Sequence, residues 1–217
     1  MLQGEAMETE TPRYVIEKPQ PLILIISGLS GSGKDTVINR LKEISSIDFH
    51  FVVTCNSRAR RESEVDGKDY HFITREKFLE MIDNGEMIEH SVVYEDLKGV
   101  PRFEIENAMA RGKDMVLRLD SQGMKKIKAI YPQAISIFIL PPDADVWIDR
   151  LRSRNTDSEE ALRIRVKTAI KELGEVPDFD YVVINETIDQ AAKDILMIIH
   201  TEHLRSSNRK VRFETNE

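Results

Sequence analysis

The sequence predicts an α/β protein, a three-layer sandwich with a mainly parallel sheet, an inserted subdomain and a small lid. Three observations carry that prediction. An apolar run, Pro21 to Ile26 (PLILII), leads through a glycine-rich stretch into a helical pattern, Thr36 to Ile44. Beyond Gly112, β-branched runs alternate with amphipathic ones, the rhythm of strands joined by crossover helices. Between residues 54 and 100 that rhythm breaks into short strand patterns around one helix pattern, which marks an insertion.

The glycine-rich stretch is GLSGSGKDT: Gly28, Leu29, Ser30, Gly31, Ser32, Gly33, Lys34, Asp35 and Thr36. Strand, glycine-rich turn and helix is the setting in which G-x-x-x-x-G-K cradles phosphate. Backbone N–H groups wrap the anion, and the helix N-terminus adds partial positive charge. Lys34 then reaches the outer phosphates as a mobile point charge. A βα turn without a ligand is the competing reading; the pattern favours a nucleoside triphosphate site and a P-loop NTPase core. Where that motif has Ser or Thr to ligate Mg²⁺, this chain has Asp35, with Thr36 next. A carboxylate can hold the metal directly or through water, so Asp35 is a possible metal ligand.

The remaining elements follow in order. Residues 1–19 are polar and acidic and are expected to form an unstructured tail, as are residues 206–217. Residues 20–205 form the domain. Phe49 to Cys55 (FHFVVTC) reads as one buried strand and Asp69 to Ile73 as a short one. Thr74 caps a helix whose apolar face is Phe78, Met81 and Ile82, ended by Gly85. Met87 to Tyr94 is a strand, Leu97 to Pro101 a turn, and 102–111 a helix. Strands then fall at 114–120, 134–140 and 180–185. Helices fall near 121–130, 143–152, 158–174 and 187–204, with the lid at 145–165.

Bulk properties exclude several classes. The 217 residues carry a formal net charge of −7, which argues against a broad nucleic-acid surface. The single Cys55 excludes an internal disulfide and suits a reducing compartment. No run approaches the roughly 20 apolar residues that span a bilayer. The first 19 residues lack both secretory and organellar patterns. No membrane partner, no nucleic acid, a cytoplasmic location and a monomer or homodimer are therefore expected.

Arg58, Arg60 and Arg61 cluster in a charged loop, NSRARRESEVDGK. Guanidinium forks match phosphate oxygens, and Tyr70 can add a hydroxyl; a solvated charged loop is the competing reading. A second phosphate-binding patch beside a P-loop suggests a kinase with a phosphorylated acceptor. Glu89 lies in an apolar strand pattern, where a carboxylate can accept the paired hydrogen bonds of guanine N1–H and 2-amino. Alternation alone favours Glu89 facing solvent. Asp120 ends its strand at the carboxyl edge, where ligands of open α/β sheets bind. Arg150, Arg152, Arg154, Arg163 and Arg165 flank NTDSEE and suit a flap closing on phosphates, or ordinary helix-surface pairing. The five histidines show no metal-ligand spacing and are given no role.

Taken together these residues resemble the guanylate kinase family from about Pro21 to Glu202. The family pattern T-R-x-x-R-x-x-E-x-x-G-x-D-Y stands here as Ser57 to Tyr70 (SRARRESEVDGKDY), joined by Gly85-Glu86, Asp120 with Gln122-Gly123, and Asp180 to Asn185. The resemblance implies Mg²⁺-dependent phosphorylation of GMP, and with it dGMP, by ATP. It implies that Arg58, Arg61 and Tyr70 hold the GMP phosphate, with Thr54, Glu89 and Asp120 at the base. Lys34, Arg58, Arg154 and Arg165 would be catalytic, and Asn185 would lie near the adenine.

Departures accompany it. Where many members have Y-Y-G-[ST], this chain has Leu97-Lys98-Gly99-Val100. Lys98 replaces a phosphate-binding Tyr and can still contact an anion. Val100 lacks the hydroxyl that bonds guanine O6, so Val100→Thr is expected to tighten GMP binding. An Asp common at the Arg118 position is reversed in charge. The Lys34-Asp35 and Leu117-Arg118-Leu119-Asp120 sequences are similar to plastid-type members and their bacterial relatives. Two other readings remain: a ribose 1,5-bisphosphate phosphokinase, which shares G-S-G-K-D, and a non-catalytic guanylate-kinase-like binding module. Glu64-Val65-Asp66-Gly67 and Glu89 argue against the first, and Lys34 with Arg58 and Arg61 against the second.

Overall fold

The computed structural model describes residues 13–62, 64–93, 96–152 and 159–214, without the side chains of residues 93, 159–162, 164–165 and 214. The chain runs β1 (Arg13–Ile16), β2 (Ile23–Gly28), α1 (Lys34–Ile44), β3 (His50–Phe51), β4 (Cys55–Asn56) and β5 (His71–Phe72). It continues through α2 (Arg75–Asp83), β6 (Met87–Val93), β7 (Asp96–Pro101), α3 (Arg102–Ala110), β8 (Met115–Arg118) and α4 (Ser121–Ile130). The last elements are β9 (Ile135–Leu140), α5 (Ala144–Arg152), α6 (Glu159–Gly174), β10 (Tyr181–Ile184), α7 (Ile188–His203) and β11 (Val211–Glu214).

A parallel sheet in the order β10-β9-β2-β8-β3 forms the middle layer. Its central strand is buried on both faces, which is why PLILII reads as a continuous apolar run. Ile23 and Ile25 join Ile105 of α3, Met124 and Ile127 of α4 and Trp147 of α5 in one core. Leu24 and Ile26 join Val37 and Leu41 of α1 and Ile195 and Ile199 of α7 in the other. Helices on both faces of a parallel sheet are the α/β sandwich that the alternation predicts.

A second sheet, β5-β4-β7-β6, stands apart with its own small core of Cys55, Phe78, Met81, Met87 and Leu97. Thr74 caps α2 by accepting a hydrogen bond from the Lys77 amide, as its position predicts. The Cys55 thiol is 1% exposed, and burial pushes its pKa up to about 12.

Three expectations are corrected. Phe49 to Cys55 is not one strand: β3 pairs with β8 in the main sheet, whereas β4 pairs with β5 and β7 in the second. Alternation marks extended backbone but cannot say which sheet receives it. Leu97 to Pro101 is not a turn but most of β7, paired antiparallel with β6 and β4. The two tails are not structureless throughout, because Arg13–Ile16 and Val211–Glu214 form an antiparallel ribbon. Tyr14 meets Phe213 edge-on within it, at 6.5 Å between ring centroids.

Burial ranks the consequences of truncating these elements. Ile137→Ala, at a fully buried position of β9, is expected to cost about 2–5 kcal/mol in urea denaturation. Phe213→Ala, at a ring 70% exposed, is expected to cost under about 1 kcal/mol.

Candidate active site

The loop between β2 and α1 is shaped from behind. Gly28, Gly31 and Gly33 have φ of 146°, 85° and 86°. A Cβ on Gly28 would lie 2.2 Å from the Ile139 carbonyl oxygen of neighbouring β9, so only glycine fits there. The loop's carbonyls are tied down. Trp147 Nε1 donates to Ser30 O (2.8 Å), and Asn185 Nδ2 donates to Ser32 O (2.8 Å). Lys34 Nζ donates to Gly28 O (2.5 Å) and Leu29 O (3.0 Å). Asn185 is 2% exposed, so the contact it makes is with the loop backbone.

Two clefts open at the carboxyl edge of the main sheet. The first, about 340 Å³, is lined by the loop from Gly28 to Thr36 except Ser32, and by Thr54, Glu89, Ser91, Asp120 and Glu172. The second, about 410 Å³, holds Arg58, Arg61, Glu64 and Lys68. Asp35, Tyr70, Lys98 and Arg118 line both, and form the wall between them. The chain thus brings its phosphate loop, its arginine cluster and Glu89 to one edge.

Glu89 faces inward, against the alternation, and is 3% exposed. The reason is a β-bulge: the β6–β7 register shifts between Met87 and Glu89, which re-aims the side chain. Burial raises its pKa from 4.5 to about 7, opposed by Lys126, whose Nζ stands 3.4 Å from Glu89 Oε1. Asp120 lines the same cleft while its Oδ1 accepts from Gly123 N (2.8 Å), capping α4.

In the second cleft, Arg58 grips Glu64 with both terminal nitrogens. That pairing lowers the Glu64 carboxyl to about 2. The Arg58 guanidinium also lies 5.4 Å from the ring centroids of Tyr70 and Phe72. Lys98 has its pKa lowered, first by burial and then by neighbouring Arg58.

Sequence reasoning missed Lys126, Ser91 and Glu172, gave Arg118 no part in the site, and quoted Glu64 within the family pattern without its pairing to Arg58. Lys126, Glu172 and Arg118 come from elements remote from the motifs they meet, whereas Ser91 follows Glu89 by two residues on β6. Arg154 lies outside the described residues; Arg165 falls in α6, but its side chain lies outside them. Val100 is fully buried in the apolar core with Ile105 and Leu117 and lines neither cleft. Two histidines given no role share one buried acid: His50 Nε2 and His71 Nε2 lie 2.6 and 3.1 Å from Glu104. That acid ties β3 and β5 to α3.

Comparison with known proteins gives concordant findings. A family model described as guanylate kinase matches residues 20–202. Guanylate kinase 2, chloroplastic/mitochondrial, of Oryza sativa subsp. japonica is 44% identical over 196 residues, covering 89% of this chain and 68% of that protein. Guanylate kinase of Nitrosospira multiformis is 36% identical over 190 residues, covering 88% and 90%. The crystal structure of guanylate kinase from Anaplasma phagocytophilum matches with a TM-score of 0.73 at 33% identity, covering 88% of this chain and 91% of that one.

Two outcomes follow from burial at the cleft. A threonine hydroxyl at position 100 enters an apolar core, so Val100→Thr is expected to lower stability by about 1–3 kcal/mol in urea denaturation. Glu89 binds its proton more tightly folded than unfolded, so the stability it contributes is present below its ordinary range and lost as pH rises to about 7. Glu89→Gln is therefore expected to be more stable than the native chain near pH 8, by up to about 3 kcal/mol, with the gain vanishing toward about pH 4.

Proposed function

The chain belongs to the guanylate kinase family, and on that premise we propose how its clefts divide the work. It is a nucleoside monophosphate kinase that moves the terminal phosphoryl group of ATP onto GMP, giving ADP and GDP. The observation that supports the division is that Glu89, a buried carboxylate, opens into the same cleft as the phosphate loop.

ATP lies with its phosphates on the Gly28–Thr36 loop. Lys34 leaves the Gly28 and Leu29 carbonyls to follow the outer phosphates, and Asn185 keeps the loop in shape beneath them. Arg154 and Arg165, on the family resemblance, add positive charge to the same phosphates. GMP, or dGMP, places its base against Glu89, Thr54 and Asp120. Its phosphate lies toward Arg58, Arg61, Tyr70 and Lys98. An ionised Glu89 accepts from both N1–H and the 2-amino group, an edge that adenine does not offer. The acceptor phosphate is already anionic and nucleophilic, so no general base is needed.

The oxygen donors of the first cleft fit Mg²⁺ carried by ATP. Thr36 and Asp120 stand on its wall, and the described residues hold no group of three acidic, His or Cys side chains able to cage a metal. Such an ion keeps most of its shell as water and phosphate oxygens. When bound, it would neutralise charge on the transferring group, and Thr36 and Asp120 are the cleft residues that would hold its waters. No helix among the described residues is long and apolar enough to cross a membrane. The lone buried thiol supports placement in a reducing compartment such as the cytoplasm.

The test is ADP release with Mg·ATP and GMP, AMP, UMP or ribose 1,5-bisphosphate in turn, for the native chain and Lys34→Ala. Turnover with GMP alone, lost in Lys34→Ala, is expected. Turnover with the sugar bisphosphate would overturn the base-reading role of Glu89, and silence with all four would mark a binding module. Because Glu89 must be ionised to accept both bonds, kcat/KM for GMP is expected to fall about tenfold per pH unit below about 7. Glu89→Gln should lack that break.

A further inference from the structure

Arg118 occupies the junction of the two clefts. It ends β8 opposite Ile26 of β2, at the carboxyl edge where the phosphate loop begins. Three contacts hold its guanidinium. Nη1 donates to Asp35 Oδ1 (2.7 Å), Nη2 donates to the Asp69 carbonyl (3.3 Å), and the group lies 4.9 Å from the Tyr70 ring centroid. The side chain is only 31% exposed, so little of it is spent on solvent.

The partner matters as much as the place. Asp35 stands where the phosphate-loop motif carries a hydroxyl, and Arg118 reaches it across the cleft mouth. A carboxylate beside ATP's phosphates repels them if it stands alone. Paired with Arg118 it becomes an anchor that holds a cation at the boundary between donor and acceptor.

We propose that Arg118 is a catalytic residue of this chain, its guanidinium bridging the terminal phosphate on the loop and the acceptor phosphate beside Arg58, with Asp35 as the positioning residue that aims it. This rests on the reading of the two clefts as donor and acceptor sites. In the step itself, an acceptor phosphate oxygen bonds to the terminal phosphorus of ATP. The bond from that phosphorus to the bridging oxygen breaks, and ADP leaves with the electron pair. No proton has to move. Arg118 neutralises the charge that two phosphates bring together, and a planar fork spans two groups where the point charge of Lys98 serves one.

The experiment is steady-state kinetics in both substrates, with thermal melting, for the native chain, Arg118→Ala, Arg118→Lys, Asp35→Asn and the double variant Asp35→Asn/Arg118→Ala. Arg118→Ala is expected to lower kcat about 10²–10³-fold with each KM and the Tm kept. Arg118→Lys should lose about tenfold, since it keeps the charge but not the fork; it carries the test if the alanine variant fails to fold. Asp35→Asn should lower kcat less than Arg118→Ala, and the double variant should be no slower than Arg118→Ala alone. A raised KM for GMP with kcat intact would make Arg118 a mere fastener of the Asp69–Tyr70 segment and overturn the proposal. Losses that multiply in the double variant would overturn the positioning role of Asp35. An active native chain with Arg118→Ala equally fast sinks this inference alone, whereas a native chain inert toward GMP removes the reading beneath it.

Discussion

The constraint on which the rest depends is that a six-residue backbone segment must be held open toward one side. Gly28 lies so close to β9 that no side chain fits, and the carbonyls of Gly28, Leu29, Ser30 and Ser32 are each engaged by Lys34, Trp147 or Asn185. Those three side chains come from α1, α5 and the end of β10. The loop's shape is therefore set by both layers of helices and by the sheet edge at once. A site that binds polyphosphate through backbone dipoles needs its dipoles oriented before the ligand arrives. Here the fold supplies that orientation through hydrogen bonds to the opposite ends of the same peptide groups.

Charge is arranged with comparable economy. The second cleft is rich in cations, yet Arg58 is neutralised by Glu64 and Arg118 by Asp35. Pairing fixes long side chains in one geometry and limits their mutual repulsion while the clefts hold solvent. Glu89 shows the converse. Its burial destabilises the ionised form, and among the described residues Lys126 offsets that. A carboxylate kept dry and partly unmet is a liability for folding and an asset for reading a base edge, and the bulge in β6 exists at that one place.

The phosphate loop was legible in the sequence because its chemistry is contiguous: nine residues, one motif, a strand before and a helix after. The main sheet was legible because buried parallel strands read as apolar runs. What escaped notice depends on register or on distance along the chain. Alternation pointed Glu89 outward because a bulge leaves no local trace. Leu97 to Pro101 looked like a turn because Gly99 and Pro101 punctuate it. Yet Gly99 is there because a Cβ would lie 2.7 Å from the Glu89 carbonyl oxygen. The β1–β11 ribbon joins segments nearly 200 residues apart, and Arg118 acquires its meaning only when Asp35 is placed beside it. Arg58, Arg61 and Tyr70 lay between these extremes, recognisable as a spaced set although their wall is built from three other elements.

The burial of Cys55 has a practical side. It is the sole thiol of the chain, sealed inside the small core of the second sheet and protonated up to about pH 12. Reagents and oxidants that attack thiolates find almost none at neutral pH. Burial and a raised pKa together make Cys55 a poor target for electrophiles at neutral pH. A cysteine introduced at any exposed position would take up a fluorophore or spin label by itself, and movements of the insertion against the main sheet would become directly visible without first removing the native residue.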